Sequence, residues 1–219
     1  MIRNIKDLHG KELAASDGDI GHVSDFYFDD MTWVIRYLVV DTGAWMQGRR
    51  ILLSPHAFGR NVNNGEIISV NLTLKQIETS PSFDSHLPVS RQYEEQYYRY
   101  YGWPDYWNGG GLWGLGNFPI TTPLAIPDAS HHHGHQQRED VHLRSTHAMD
   151  GYHIQATDGP IGTVSDFVMD DESWVIPELI VETGHWYAGK KIFLAPAKID
   201  RISYEESTVF VNLTKADIR

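Results

Sequence analysis

Histidine is the residue of this chain whose number and clustering first suggest chemistry. The chain contains 12 histidines and no cysteine, so any transition-metal site would depend on imidazole and carboxylate ligands. Four histidines stand together in one short segment: His131, His132, His133 and His135. Such a group can bind Zn²⁺ or Ni²⁺, but its spacing fixes no tetrahedral set and places no carboxylate to orient the rings. We therefore expect a solvated linker here, with no metal site and no cofactor.

The chain repeats itself. The run Asp17-Gly-Asp-Ile-Gly-His-Val-Ser-Asp-Phe26 corresponds to Asp158-Gly-Pro-Ile-Gly-Thr-Val-Ser-Asp-Phe167, an offset of 141 that holds without a gap over residues 10–77. Because a repeat of this length indicates duplication of a structural unit, both copies are expected to share one fold. The repeat predicts three parts, which are residues 1–80, 81–146 and 147–219.

Each copy has the pattern of a small β domain. Alternating or β-branched segments bounded by turn residues predict short strands, and a Thr-x-x-Gln or Thr-x-x-Asp capping box predicts a short helix after the last strand. The predicted strands are residues 10–16, 20–28, 33–41, 50–53 and 68–72, with 161–169, 174–182, 191–194 and 209–213 in the second copy. Short strands at this spacing favour an all-β fold of two small barrels in tandem.

The matched positions do not include a catalytic arrangement. They are mostly glycines, turn acids and apolar residues, and no histidine is matched, since His22 corresponds to Thr163 and His56 to Ala197. The pairing of His22 with Asp25 therefore does not recur, and we predict no catalytic residues and no enzyme. Asp25 and its counterpart Asp166 are expected to bind turn backbone. A site confined to one copy or to the junction remains open.

The repeated motifs resemble a known domain family. The run Asp-Gly-x-Ile-Gly-x-Val-Ser-Asp-Phe, then Asp-Asp-x-x-Trp-Val-Ile, a Thr-Gly-x-Trp turn and an Ile-x-Leu-x-Pro strand are similar to the PRC-barrel domain. That domain forms the cytoplasmic part of the photosynthetic reaction centre H subunit and the C-terminal half of a bacterial ribosome-maturation factor. The resemblance implies a small barrel that docks on larger assemblies without catalysis. It is strongest to tandem PRC-barrel proteins of bacteria.

Residues 81–146 have no counterpart in the repeat and are rich in aromatic residues. Ser90 is a predicted helix N-cap for residues 90–101, which place Tyr93, Tyr97 and Tyr101 on one face. Trp103 and Trp107 follow among glycines and a proline. Three interpretations stay open: the rings pack on a barrel or between the barrels, they form a docking surface, or they line a pocket for an apolar cofactor such as a quinone.

Charge limits the classes of partner. The chain has 18 Lys and Arg against 29 Asp and Glu, a net charge of −11, which disfavours binding to nucleic acid and to anionic lipid. No apolar run is long enough to span a bilayer, so we expect a cytoplasmic protein without membrane insertion. The expected function is a protein-interaction or assembly module, with a protein partner or a homodimer. The resemblance also leaves open a photosynthetic reaction-centre factor and a ribosome-maturation factor.

Overall fold

The structure is a computed structural model that describes residues 1–58, 67–83, 88–109, 111–114, 142–184 and 189–218. Within these ranges the chain is mostly β, with two antiparallel-rich sheets and a few short helices, so the prediction of a β-rich fold is confirmed. The strands of the first half are β1 (Ile2–Asn4), β2 (Glu12–Ala15), β3 (Gly18–Asp29), β4 (Val34–Asp41), β5 (Arg50–Leu53) and β6 (Ile67–Ser69). Those of the second half are β7 (Leu143–Ser145), β8 (His153–Ala156), β9 (Gly159–Asp170), β10 (Glu178–Thr183), β11 (Lys191–Leu194), β12 (Ile199–Ser203) and β13 (Thr208–Val211).

Helical segments are short. The α-helices are α1 (Leu74–Glu78), α2 (Arg91–Tyr101) and α3 (Thr146–Met149), and 3₁₀ turns cover Ile5–Leu8, Pro55–Ala57, Pro196–Lys198 and Lys215–Ile218. The predicted capping box before α1 is present, because Thr73 and Gln76 exchange side-chain and backbone hydrogen bonds. None of the helices in the described part of the chain has the length and apolar character needed to cross a membrane.

The two copies have the same strand order. One sheet runs β5-β4-β3-β2-β6 and the other β11-β10-β9-β8-β13, with β12 beyond β13. In each sheet the strand that directly precedes the long strand (β2 or β8) lies antiparallel to it and parallel to a late strand (β6 or β13). The register also shifts at equivalent places, between Leu13 and Ala14 and between Ile154 and Gln155. The expectation of one shared fold for both copies therefore agrees with this pairing.

One predicted strand is shorter in the second copy. The strand expected over 174–182 begins only at Glu178, although its counterpart β4 begins at Val34. Pro177 explains the difference, since proline has no N–H to give to the ladder and is poorly tolerated inside a strand. Upstream of it, Val175 makes only an isolated bridge, to Val34.

Matched glycines allow the long strands to approach a neighbouring turn. A Cβ atom at Gly21 would lie 2.0 Å from the carbonyl oxygen of Asp41, and one at Gly162 would lie 2.0 Å from that of Glu182. No side chain fits at that distance, so glycine is required at this position of both copies.

The first compact unit contains residues 1–9, 25–35 and 144–219 and is thus built from both copies. In it β1 pairs with β9, from Ile2 opposite Asp170 to Asn4 opposite Val168. The equivalent strand of the second copy, β7, pairs with β3. The N-terminal strand of each copy therefore pairs with the long strand of the other copy, which the sequence did not predict. We call these two segments, residues 2–8 and 143–149, the exchanged arms.

A second reciprocal contact in this unit joins the two tryptophan turns. Trp33 and Trp174 both have left-handed backbone, with φ of 57° and 62°. The N–H of Ile35 donates to the carbonyl of Trp174 at 2.8 Å, and the N–H of Ile176 donates to the carbonyl of Trp33 at 2.7 Å. The two copies thus donate equivalent backbone hydrogen bonds to each other.

The second compact unit contains residues 10–24 and 36–143. Its core is built by β4 and β5, whose side chains are almost all buried, together with α1 and α2. The predicted domains 1–80, 81–146 and 147–219 follow the repeat along the chain, whereas the compact units interleave segments of both copies. As independently folding parts, those three domains stay a prediction.

Candidate functional site

The matched carboxylates Asp25 and Asp166 each hold an exchanged arm. Asp25 accepts hydrogen bonds from the backbone N–H of His147 and the hydroxyl of Thr146, both at 3.1 Å. Asp166 accepts the backbone N–H of Lys6 at 3.1 Å. Burial raises the pKa of Asp166, although the hydrogen bonds from Phe167 and Lys6 oppose that shift. These carboxylates do bind backbone as predicted, but part of it belongs to the arm of the other copy rather than to a local turn.

The aromatic segment covers the outer side of β5. The helix predicted over 90–101 is present as α2: the hydroxyl of Ser90 accepts the N–H of Tyr93, and Gly102 ends the helix with a φ of 67°. Tyr97 fastens α2 to the strand, since its hydroxyl donates to the carbonyl of Leu52 at 3.0 Å and accepts the N–H of Ser54 at 3.1 Å. Both backbone groups lie on the free edge of β5, so a tyrosine hydroxyl takes the place of a neighbouring strand.

The five residues predicted as docking candidates fall into two classes. Tyr97, Tyr101 and Trp103 are buried, with exposed fractions of 0%, 9% and 6%, and Tyr101 stacks on Trp103 with ring centroids 4.4 Å apart. Tyr93 and Trp107 are half-buried at the margin of these rings. We call the five side chains together the aromatic layer. The structure thus brings all five together on the first repeat. A docking role for them stays a prediction, and for the three buried rings it would require the layer to open.

A fully buried carboxyl lies inside this layer. Glu94 has no exposed surface, and its Oε1 accepts the hydroxyls of Tyr37 at 2.9 Å and Tyr106 at 2.6 Å. Its Oε2 lies 2.9 Å from a guanidinium nitrogen of Arg91, although the angles do not make a hydrogen bond, and 3.2 Å from Nε2 of His142. Burial and the nearby charge of Glu94 raise the pKa of both tyrosines. The arrangement holds the phenols as donors and fixes α2 on β4.

A buried histidine, His56, also contacts the aromatic layer. It is 1% exposed, and its Nδ1 lies 3.1 Å from the hydroxyl of Ser54. The imidazole stacks on Trp103, with ring centroids 5.5 Å apart. Burial, reinforced by the charge of Arg36, lowers the pKa of His56 to about 4. The ring is therefore neutral near pH 7.

A cavity of about 370 Å³ adjoins this histidine. Its lining combines His56, Tyr101 and Trp103 with the polar side chains of Asn71 and Gln76. The size suits a small molecule, and a neutral imidazole can donate or accept a hydrogen bond there. The expectation that the protein uses no cofactor stays a prediction.

Sequence reasoning missed the buried polar set of the first repeat, yet a signal was present. Tyr37, Ser54 and His56 all contact the aromatic layer, and in the second copy these positions are Glu178, Ala195 and Ala197. Positions that differ between copies while their neighbours match therefore mark where the copies bind different things. Glu94 and His142, outside the repeat, carry no such signal.

The histidine group His131, His132, His133 and His135 lies outside the described residues. Elsewhere, in the ranges that the structure describes, no group of three or more His, Asp or Glu side chains is placed to hold a metal ion. The expectation of a solvated linker without a metal site in the histidine segment thus stays a prediction to be tested in solution.

The comparison with known proteins agrees with the resemblance seen in the sequence. Residues 2–78 match the family model of the PRC-barrel domain, which confirms the recognition for the first repeat. A search of curated proteins found no match to the chain.

Proposed function

We propose that this chain, whose residues 2–78 are a PRC-barrel domain, is a non-catalytic assembly module made of two such barrels in tandem. The match of the first copy and the equal strand order of the second support two barrels of one type. The proposal includes the curvature of each strand set into a small barrel, in which β5 and β11 remain at the edge of their sheets. Its role is to present fixed surfaces to a protein partner.

The observation that carries this proposal is the use made of the matched polar side chains. Ser24 and Ser165 donate to the carbonyls of Val39 and Ile180 at 3.1 Å. The hydroxyls of the matched threonines likewise bind turn carbonyls, in the pairs Thr42 with Arg49 and Thr183 with Lys190. Asp25 and Asp166 hold the arms, as described above. The matched serine, threonine and aspartate pairs thus bind backbone, which supports a role in shape rather than in chemistry.

The exchanged arms support assembly in a second way. Each arm buries apolar residues, Ile5 and Leu8 in one case and Met149 in the other, and adds a strand to β9 or β3. Segments far apart in sequence are thereby held in one compact unit. A surface built on such a unit is preorganised, which lowers the entropy that binding must overcome.

In-cell photo-cross-linking tests the proposal. A photoreactive residue is placed singly at exposed positions in different parts of the chain, such as Met31, Ile67, Glu95 and Phe193. We expect a discrete adduct of one mass from at least one region, and none without irradiation. Failure of every position to give a specific adduct would contradict an assembly role.

A further inference from the structure

The face of the second repeat that corresponds to the covered face of the first is open. We name it the β11 face and define it by Glu178, Phe193, Ala195 and Ala197. Phe193 is 61% exposed, whereas Leu52 at the same repeat position is 3% exposed beneath the aromatic layer. Ala195 and Ala197 are also exposed. A single exposed phenylalanine is ordinary on a protein surface, so Phe193 indicates binding only in combination with the features around it.

The backbone of the β11 face offers the same two groups that Tyr97 binds in the first repeat. Ile180 lies opposite Phe193 just as Val39 lies opposite Leu52. The neighbouring pair of Thr183 and Lys190 is hydrogen-bonded, so alternation along the ladder directs the N–H and carbonyl of Phe193 away from β10. Among the strands that the structure describes, β11 is the last on this side of its sheet, so these groups face outward. The carbonyl of Phe193 and the N–H of Ala195 are therefore the equivalents of the groups bound by Tyr97.

A groove with both apolar and charged lining residues adjoins this surface. Pro196 and Ala197, directly after β11, line a groove of about 420 Å³ together with Met31, which is 85% exposed. Trp33 and Ile199 also contribute to its wall. The extent of apolar surface beside the β11 face is thus larger than one side chain.

The β11 face carries a glutamate where the first repeat has a tyrosine, and this difference indicates the charge of its binding partner. In the first repeat Tyr37 donates to Glu94 of α2 at 2.9 Å. The position of Tyr37 is taken by Glu178 in the second, so the surface now presents an acceptor and a negative charge. A helix seated like α2 would need a lysine or arginine where α2 has Glu94.

We propose that the β11 face binds an amphipathic helix of a partner protein, with aromatic residues spaced as in α2 and a basic residue facing Glu178. This inference rests on the proposed assembly function and names the surface and the partner chemistry. An aromatic residue covers Phe193, and a phenolic hydroxyl of the helix bridges the carbonyl of Phe193 and the N–H of Ala195. Alanine in place of Ser54 and His56 leaves space for a larger apolar side chain.

A peptide binding experiment on the full chain tests the proposal. The probe is a labelled peptide of residues 89–103 carrying Glu94→Lys, compared with the same peptide of native sequence, and binding is read by fluorescence anisotropy. We expect the lysine peptide to bind more tightly, and Phe193→Asp to weaken it by about tenfold or more, as for a central aromatic contact. Glu178→Lys should reverse the preference between the two peptides. Ile67→Asp, at an exposed strand residue of the first repeat, is the matched control and should change neither affinity.

Two results would overturn the proposal: absence of lysine-peptide binding, or binding that Phe193→Asp leaves unchanged while circular dichroism shows a folded variant. The cross-linking scan separates this failure from failure of the assembly role. Adducts from other positions but none from residue 193 would reject the β11 face alone, whereas no adduct from any position would reject both. An adduct of residue 193 with its own chain or with a second copy would also reject a partner helix as the occupant.

Discussion

Glu94 is the residue whose environment is most specific to this chain. Two phenols, a guanidinium and an imidazole surround a carboxyl that has no exposed surface. A buried charge of this kind contributes little net free energy by itself, but removing one partner leaves the others uncompensated. Its expected role is to fix how α2 lies on the strands.

Replacing Glu94 with alanine should therefore be strongly destabilising. We expect Glu94→Ala to lower the free energy of unfolding by about 3–5 kcal/mol, measured by urea denaturation. The exposed neighbour Glu95 provides the control, and Glu95→Ala should stay within about 0.5 kcal/mol of the parent. Equal midpoints for both variants would show that the buried carboxyl does not anchor the helix.

The lowered pKa of His56 leads us to expect that the folded chain becomes less stable in acid. This pKa is about 4 in the folded chain, below the ordinary value of 6.5, so the unfolded state binds more protons between these values. The free energy of unfolding should thus fall as the pH decreases through this window, by roughly 3 kcal/mol in total. Urea denaturation at a series of pH values should show a smaller fall for His56→Gln. The exposed His22→Gln is the comparison, and identical pH slopes for the parent and His56→Gln would reject the assignment.

At the scale of elements, the exchanged arms replace what the sequence presents as two separate copies. β1 and the segment around Lys6 are held by β9 and Asp166, while β7 and the segment around His147 are held by β3 and Asp25. The two arms stand at the same offset of 141 as the repeat, although the repeated residues 10–77 do not include them. The repeat could not show which long strand each arm joins, because either pairing satisfies the same hydrogen bonds.

Hydrogen exchange measured by mass spectrometry can report on each arm separately. We expect Asp25→Ala to speed exchange of the amides of residues 145–148, and Asp166→Ala to speed exchange around Lys6, because each loses an acceptor for its own arm. Each variant serves as the control for the other. Should either substitution speed exchange equally in both arms, the two contacts would not be independent.

The strands show where local pattern was sufficient and where it was not. β5 and β11 begin and end at the predicted residues, because turns and prolines bound them. The strand predicted over 174–182 was too long at its start, since Pro177 interrupts an otherwise β-branched run. The burial of Tyr97, Tyr101 and Trp103 was one of three interpretations, and periodicity cannot choose among them because each requires an apolar helix face.

For the whole molecule, the charge balance predicts a response to acid. The net charge is −11 with neutral histidine, and the chain has 12 histidines. As the pH falls from about 7 to about 5.5, the histidines whose pKa is not lowered by burial gain protons, since an unperturbed imidazole has a pKa of about 6.5. This moves the net charge toward zero, which lowers solubility or favours self-association. Light scattering across this range should increase, and added salt should change the increase. Flat scattering would contradict the prediction.

The sequence alone determined the duplication, the β-rich class, the PRC-barrel resemblance and the capped helix at 90–101, because these follow from local spacing and residue type. Only the tertiary structure decided that the copies exchange arms, that the aromatic helix covers β5, and that Glu94 of this helix and His56 are buried. Those features depend on which surfaces come into contact, and contact between distant segments produces no periodic pattern of residues in the sequence. The one trace of them in the sequence is the set of repeat positions where the copies differ, and these lie where one face is covered and its counterpart is open.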